Sequence, residues 1–320
     1  MSVASCLLLY SAIVIVLGPR LLSRLTRSGA SPRWGVAVWL AAMGSVLGAW
    51  VVAAVFLAGE AIRDENQPGR TVADLCFAVL RSVAAGGHGV LIQVGLLVFA
   101  GLGAAAAIRL TWRLGRSIWR AQVASGRHAR MARLVGRRVD GVDAVVLDAT
   151  ERVAYCVAGR PHTVVVTSSA VAALDERQLA AVLAHERAHL AGRHHLLLAM
   201  TRALATILPS VALFTTGAEE VARSLEMCAD DAAACSHGSD VVLGALLSLS
   251  GAATMPAGAL GATGVGLLAR VHRLADPPGT GRRLRLRALL AGSAMILVAG
   301  PVLVAVLAAT GSALCGLIAG

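Results

Sequence analysis

The 320-residue sequence contains no lysine, so its net charge of +11 is carried by arginine. Charged residues of every kind are also scarce, 15% against 57% hydrophobic, and the mean hydropathy is +0.73. That balance excludes an ordinary soluble chain and predicts that much of the protein sits in lipid. A basic total can signal nucleic acid. Here the arginines gather beside apolar segments, the pattern of positive-inside anchoring, and no direct nucleic-acid binding is expected. The six cysteines, Cys6, Cys76, Cys156, Cys228, Cys235 and Cys315, include no C-x-x-C pair. Their spacing is not that of a secreted disulfide framework, and most read as small buried hydrophobes. G-x-S-x-G, P-loop and dinucleotide fingerprints are absent too, which argues against the commonest alternative chemistries. The first apolar run lacks a basic segment before it and a cleavage site after it, so a retained helix is expected.

Apolar runs at residues 2–18, 35–59 and 89–108, with a fourth from Ala288 to Ile318, predict about four transmembrane helices. Each is long enough for a core of about 30 Å at about 1.5 Å per residue, the first only just. Arg20, Arg24, Arg27 and Arg33 follow the first run, and Arg282, Arg283, Arg285 and Arg287 precede the last. Arg109, Arg113, Arg116, Arg120, Arg127, Arg130, Arg133, Arg137 and Arg138 follow the third, whereas the loop from Glu60 to His88 has mixed charge. The positive-inside rule then puts the N-terminus outside and everything between the third and fourth spans in the cytoplasm. Arg109, Arg113, Arg116 and Arg120 share a helix face near Trp112 and Trp119, an interfacial stripe suited to lipid phosphates. Gly44 and Gly48 form a G-x-x-x-G that is most simply chance in a chain with 34 glycines. The expected division is 1–108, three spans; 109–286, a cytoplasmic domain opened by the Arg-rich helix; and 287–320, the last span.

Within the middle segment, residues 145–147, 153–157 and 163–167 are rich in β-branched side chains and read as short strands. Such a sheet either packs on the following helix or offers an edge to a peptide. Asp175 and Gln178 then resemble a capping box, opening a helix expected to end near Gly192. Its sequence A-V-L-A-H-E-R-A-H places His185 and His189 four residues apart on one face, with Glu186 beside the first. Two imidazoles at that spacing are half of a catalytic Zn2+ site, and the glutamate is placed to act on zinc-bound water.

A third ligand is required, and two residues answer. Glu226, in S-L-E-M-C-A-D-D-A-A-A, lies on a second helix, and Asp230 one turn on could fix the tautomer of a ligand histidine. His195 completes H-E-x-x-H-x-x-G-x-x-H, the metzincin signature, with Gly192 at the turn. The membrane spans, and Met255-Pro256 as a poor Met-turn, count against the second; the acidic, small-residue helix counts for Glu226. Glu219 and Glu220 read as an acidic pair at a helix N-terminus, and His194 as the polar end of a helix. Residues 196–214 read as a buried helix in preference to a membrane hairpin; 241–268 pose the same question.

The stretches H-T-V-V-V-T-S-S-A-V-A-A-L, L-A-A-V-L-A-H-E-R-A-H and E-M-C-A-D-D-A-A-A, within residues 162–234, resemble the core of the BlaR/MecR-type integral membrane metallopeptidases. They are similar, more distantly, to the HtpX-type and CAAX-prenyl endopeptidases. The resemblance implies a membrane α-helical protein with an inserted α+β zinc-metallopeptidase domain. It also implies His185, His189 and Glu226 as zinc ligands, Glu186 as general base and Asp230 as their supporting partner. A protein substrate is implied, a transcriptional repressor or the chain itself, cut in the cytoplasm during signal transduction. The sensors of that family carry an extracellular penicillin-binding domain after the last span; this sequence runs only to Gly320, so beta-lactam sensing is not expected. The competing expectation is a membrane signalling or scaffold protein with a peptidase-like fold and no catalysis. The intact His185, Glu186 and His189 argue against it.

Overall fold

The computed structural model describes residues 3–63, 88–139, 142–157, 162–250 and 266–318. In chain order these form α1 (Val3–Thr26), α2 (Pro32–Arg63), α3 (His88–Val135), β1 (Arg137–Val139), β2 (Val142–Leu147), β3 (Ala154–Val157) and β4 (Thr163–Thr167). There follow α4 (Ser168–Ala173), α5 (Glu176–Ala191), α6 (His194–Ile207), α7 (Ala212–His237), α8 (Ser239–Ser250), α9 (Leu267–Ala275) and α10 (Thr280–Ile318).

Three helices among the described residues are long and apolar enough to cross a membrane: Val3–Thr26, Pro32–Phe56 and Thr280–Ala308, with mean hydropathies of 2.0, 2.0 and 2.4. The expected span at 89–108 coincides with the first part of α3, where nearly all side chains lie outside the described residues. So do residues 64–87 and the Met255-Pro256 pair. Helices α1, α2 and α10 pack on one another. Their few polar groups pair within the bundle, Tyr10 Oη donating to the Leu297 carbonyl and Trp50 Nε1 to Ser11 Oγ, both at 3.1 Å. Apolar side chains such as Ile296, Val302 and Leu307 of α10 face outward, as a lipid-facing surface requires. Among the described residues, a Cβ at Gly44 or Gly48 would meet nothing within 4 Å.

Between α3 and α10 lies a four-stranded sheet in the order β1-β2-β4-β3. Strands β2 and β4 are parallel, and the two outer pairs antiparallel. Strand β1 was not expected; it falls in the Arg-rich segment, where Arg137 pairs with Asp148 at 3.2 Å. Every residue of β4 is buried because helices cover both faces. Val165 packs with Ala129 and Ala132 of α3, whereas Val164 and Val166 pack with Leu183 of α5. Side-chain alternation along β3 therefore turns Tyr155 and Val157 toward α3, and Ala154 and Cys156 toward α5. Beyond β4, β3 has no other strand partner among the described residues, which leaves it as an edge beside α5.

Helix α7 joins this domain to the spans. Its Leu213, Phe214, Val221 and Leu225 share one core with Leu22 of α1, Trp39 and Met43 of α2, Leu290 of α10 and Leu204 of α6. A Cβ at Gly217 would overlap Met43, so glycine permits the close approach of α7 to α2. Residues 196–214 thus pack within this shared core, and α6, at 14 residues, is too short to cross a bilayer. Glu219 and Glu220 are mid-helix instead of at an N-terminus: α7 begins two turns earlier, and Glu220 pairs with Arg223 at 2.5 Å.

The turn between α1 and α2 is gripped from the same side. Thr26 Oγ1 donates to Glu220 Oε2 at 3.0 Å, and Arg223 donates to the Thr26 carbonyl at 3.0 Å. From α9, the buried Arg273 donates to the Gly29 carbonyl at 2.8 Å and pairs with Asp231 of α7. Gly29 has φ +59°, and Met227 occupies the space a side chain there would need. Arg273→Ala would strand the buried Gly29 carbonyl and remove the partner of the partly exposed Asp231 carboxylate. The expected cost is about 2–3 kcal/mol, read as a lowered midpoint of thermal or denaturant unfolding in detergent, with Arg283→Ala on the exposed start of α10 as the unaffected control.

Candidate metal centre

The site begins with the start of α5. Asp175 accepts from the Gln178 amide at 2.8 Å while Gln178 Oε1 accepts from the Asp175 amide at 3.2 Å, a reciprocal capping box. With the helix so registered, His185 and His189 stack one turn apart on the face toward α7, their Nε2 atoms 3.2 Å apart. Glu226 of α7 meets both: its Oε2 lies 3.6 Å from His185 Nε2 and its Oε1 3.5 Å from His189 Nε2. These three residues are the group able to hold a metal ion among the described residues, their ligand atoms lying within 4.8 Å of one another. Ligand atoms about 2.0–2.2 Å from a tetrahedral zinc lie roughly 3.3–3.6 Å from each other. The observed spacings and the donor chemistry, two imidazole nitrogens and one carboxylate, fit that ion with little adjustment.

A second layer holds the ligands. His185 Nδ1 lies 3.1 Å from Asp230 Oδ1, which fixes the tautomer that presents Nε2. His189 Nδ1 is 2.8 Å from Nδ1 of the buried His194. Burial lowers the pKa of His194, favouring the neutral ring that accepts this bond. Arg270 of α9 donates to both Asp230 oxygens, at 2.7 and 2.8 Å, and lies 3.0 Å from Glu226 Oε2. One guanidinium therefore bridges two carboxylates that are four residues apart on α7.

Two of these partners were not read from the sequence. Arg270 carries no local signal, being 40 residues beyond Asp230 on another helix. His194 did have one. Gly192 caps α5 and Arg193 takes the left-handed conformation at φ 49°, so α6 restarts at His194 and folds it back onto His189. A Cβ at Gly192 would overlap the His194 ring, and the glycine of the apparent metzincin pattern is explained by that contact. His195, the alternative ligand, stands outside the metal-holding group. One residue further round α6, its Nδ1 is buried without a hydrogen-bond partner. Cys228 is also outside the group, its thiol pushed up to about 11 by burial.

Glu186 points from the same helix into the same cleft and is 9% exposed. Burial raises its pKa, opposed by the charge of His185 and a hydrogen bond from Cys156. Cys156, inward on β3, is itself pushed up to about 12 by burial and by Glu186, so it faces the carboxylate as a neutral thiol. The cleft, about 480 Å³, runs from His185, Glu186, Glu226 and Asp230 along α8 to the start of β3.

A paired-histidine helix, a carboxylate from a second helix, a buried glutamate and an adjoining cleft together define a metallopeptidase-like centre. Residues 120–263 match Peptidase family M48, which supports a zinc metallopeptidase family and spans the strands, α5, α7 and α8. No curated protein and no solved structure gave a match.

Without metal, burial opposes charge on His185, but its bonds to Asp230 and Glu226 outweigh it and push its pKa up to about 9. Burial takes His189 down to about 4, while the hydrogen bond from His185 and the charge of Arg270 overcome burial to hold Glu226 at about 2. At neutral pH, then, one proton on His185 must leave for a metal to bind. Zinc affinity should fall about tenfold per unit of acidification from pH 8 to pH 6, with about one proton released per ion. Chelator competition across pH, and calorimetry in buffers of different ionisation enthalpy, measure the two quantities.

Proposed function

We propose that this protein is a membrane-embedded zinc-dependent endopeptidase. The observation that carries the reading is the convergence of His185 Nε2, His189 Nε2 and the Glu226 carboxylate beside the buried Glu186. In this reading His185, His189 and Glu226 hold Zn2+, Asp230 and His194 hold the two histidines, and Arg270 holds Glu226 and Asp230. A bound zinc supplies a Lewis acid and lowers the pKa of a coordinated water toward neutrality. Glu186 accepts a proton from the attacking water and delivers it to the departing amide nitrogen. Its raised pKa suits both halves of that transfer. The outer edge of β3, which has no further strand partner among the described residues and has Ala154 on the cleft, suits main-chain pairing with an extended substrate.

The arginine distribution supports an N-terminus outside and a catalytic domain in the cytoplasm, anchored to the bilayer by its helices. The substrate is then a cytoplasmic or membrane-proximal regulatory protein, a repressor or the chain itself, in a BlaR/MecR-like signalling role. The exposed Trp112 and Trp119 of α3, with Arg116 5.2 Å from the Trp112 ring centroid, suit a headgroup contact for this helix.

Detergent-purified wild type should bind one zinc and cleave casein or itself. Glu186→Gln should keep the zinc and lose at least about 100-fold in kcat. Glu226→Gln should lose the zinc, and His195→Ala should keep it. Zinc retained without any cleavage in wild type would favour the non-catalytic scaffold, and zinc lost with His195→Ala would return the site to the metzincin pattern.

A further inference from the structure

We propose that the far end of α3, with the groove it borders on the sheet, is a docking surface for an acidic, amphipathic segment of a partner protein. Neither metal nor catalysis enters it, so it stands or falls apart from the peptidase reading. Helix α3 contains no acidic residue from His88 to Val135. Its last turns pack on the sheet through Ala129 and Ala132. At 3.6 residues per turn, Arg127, Arg130, Met131 and Leu134 lie on the opposite side, and all four are exposed. Met131 and Leu134, with Val135 on the flank, are 58%, 79% and 75% exposed. Three large apolar side chains so close together form a patch and not the scattered singles of an ordinary surface.

Val135 is also one wall of a groove of about 460 Å³, where β2 ends and β3 begins, whose other apolar walls include Leu147, Val153 and Tyr155. Tyr155 is fixed by His128 of α3, its Oη 2.9 Å from Nε2, so that wall is in place before anything binds. Charge is divided across the groove. Arg127 and Arg130 have no acidic partner among the described residues, and Arg133 donates to the Ala129 carbonyl of its own helix at 3.0 Å. On the far rim Arg137 is already paired with Asp148 at 3.2 Å, and Glu151 is exposed. The uncompensated positive charge therefore lies on the helix side. A fitting partner lays carboxylates along α3 and turns large apolar side chains toward Val135 and the groove.

The same features disfavour the other occupants. Met131 is about 35 Å along α3 from the expected end of the third span at residue 108, at about 1.5 Å per residue, and a headgroup layer is under about 10 Å thick. A second copy meeting this face by two-fold symmetry would set Arg127 and Arg130 against their own counterparts. A nucleic-acid backbone would answer the arginines and leave the aliphatic patch in water.

The test uses full-length protein in phosphatidylcholine nanodiscs. Labelled helical peptides share leucines at i, i+3, i+4 and i+7 and differ only in carrying glutamate, glutamine or lysine between them. By fluorescence anisotropy the glutamate peptide should bind at least about tenfold tighter than the other two, and its affinity should fall as salt rises. Leu134→Ser and Arg130→Gln, both at exposed positions, should each weaken it at least about fivefold, whereas Arg283→Gln at the exposed start of α10 should leave it unchanged. Arg127→Glu combined with Arg130→Glu should turn the preference to the lysine peptide, a gain that misfolding cannot produce. Equal binding of the three peptides, or equal effects of Arg130→Gln and Arg283→Gln, would overturn the proposal. So would a rival occupant: a dimer that Leu134→Arg dissociates, protection of Met131 from peroxide when phosphatidylglycerol is added to the nanodisc, or a DNA or RNA duplex held more tightly than the glutamate peptide.

Discussion

Two carboxylates, Glu226 and Asp230, are brought within contact of the histidine pair on one face of α7, Asp230 being almost wholly buried. Placing them there is the constraint on which the rest of the site depends. Unpaired buried carboxylates would take up protons, and a protonated Asp230 could no longer orient His185. The Arg270 guanidinium resolves this by donating a planar pair of bonds to Asp230 and reaching Glu226 with its remaining nitrogen. Helix α9 is thus as much a part of the centre as α5 and α7, although it contributes none of the ligands.

The same helix that presents the ligand also connects the centre to the spans. Glu220, Arg223, Glu226, Met227, Asp230 and Asp231 follow one another along one face of α7. The first two and Met227 engage the α1–α2 turn, Glu226 and Asp230 the histidines, and Asp231 the Arg273 that holds Gly29. A rotation of α7 that moved Glu226 away from His189 would also break its grip on that turn. The metal centre and the membrane hairpin are for this reason positioned by one rigid element, which explains why a short helix turn carries such dense polar packing.

Local signals made the central helix legible from sequence: the Asp175–Gln178 cap, the four-residue histidine spacing and Gly192 at the end of α5 are each short-range patterns, and all three belong to one continuous segment. The strands at 153–157 and 163–167 were legible for the same reason, since β-branched runs between turns are local patterns. Pairing distant segments was harder. The choice between Glu226 and His195 could not be made by spacing, because both fit a motif; it turns on where α6 restarts, which depends on Arg193 adopting φ 49°. Arg270 was illegible because an arginine that bridges a remote carboxylate pair looks like any other in an arginine-rich chain. Strand β1 was hidden by its charge, Arg137 and Arg138 reading as a continuation of the basic helix.

The role of the spans differs from simple anchoring. Apolar side chains of α7 and α6 complete a core whose other half is contributed by α1, α2 and α10, with Trp39 and Phe214 fully buried within it. Removing the spans would expose that surface and withdraw the support under the N-terminal half of the ligand helix. The sheet-containing region cut free of α1, α2 and α10 would therefore lose the packing that sets the height of Glu226 against His185 and His189. The bilayer-facing helices and the metal centre are one folding unit, and the position of the cleft relative to the spans is built into the fold instead of being left to a linker.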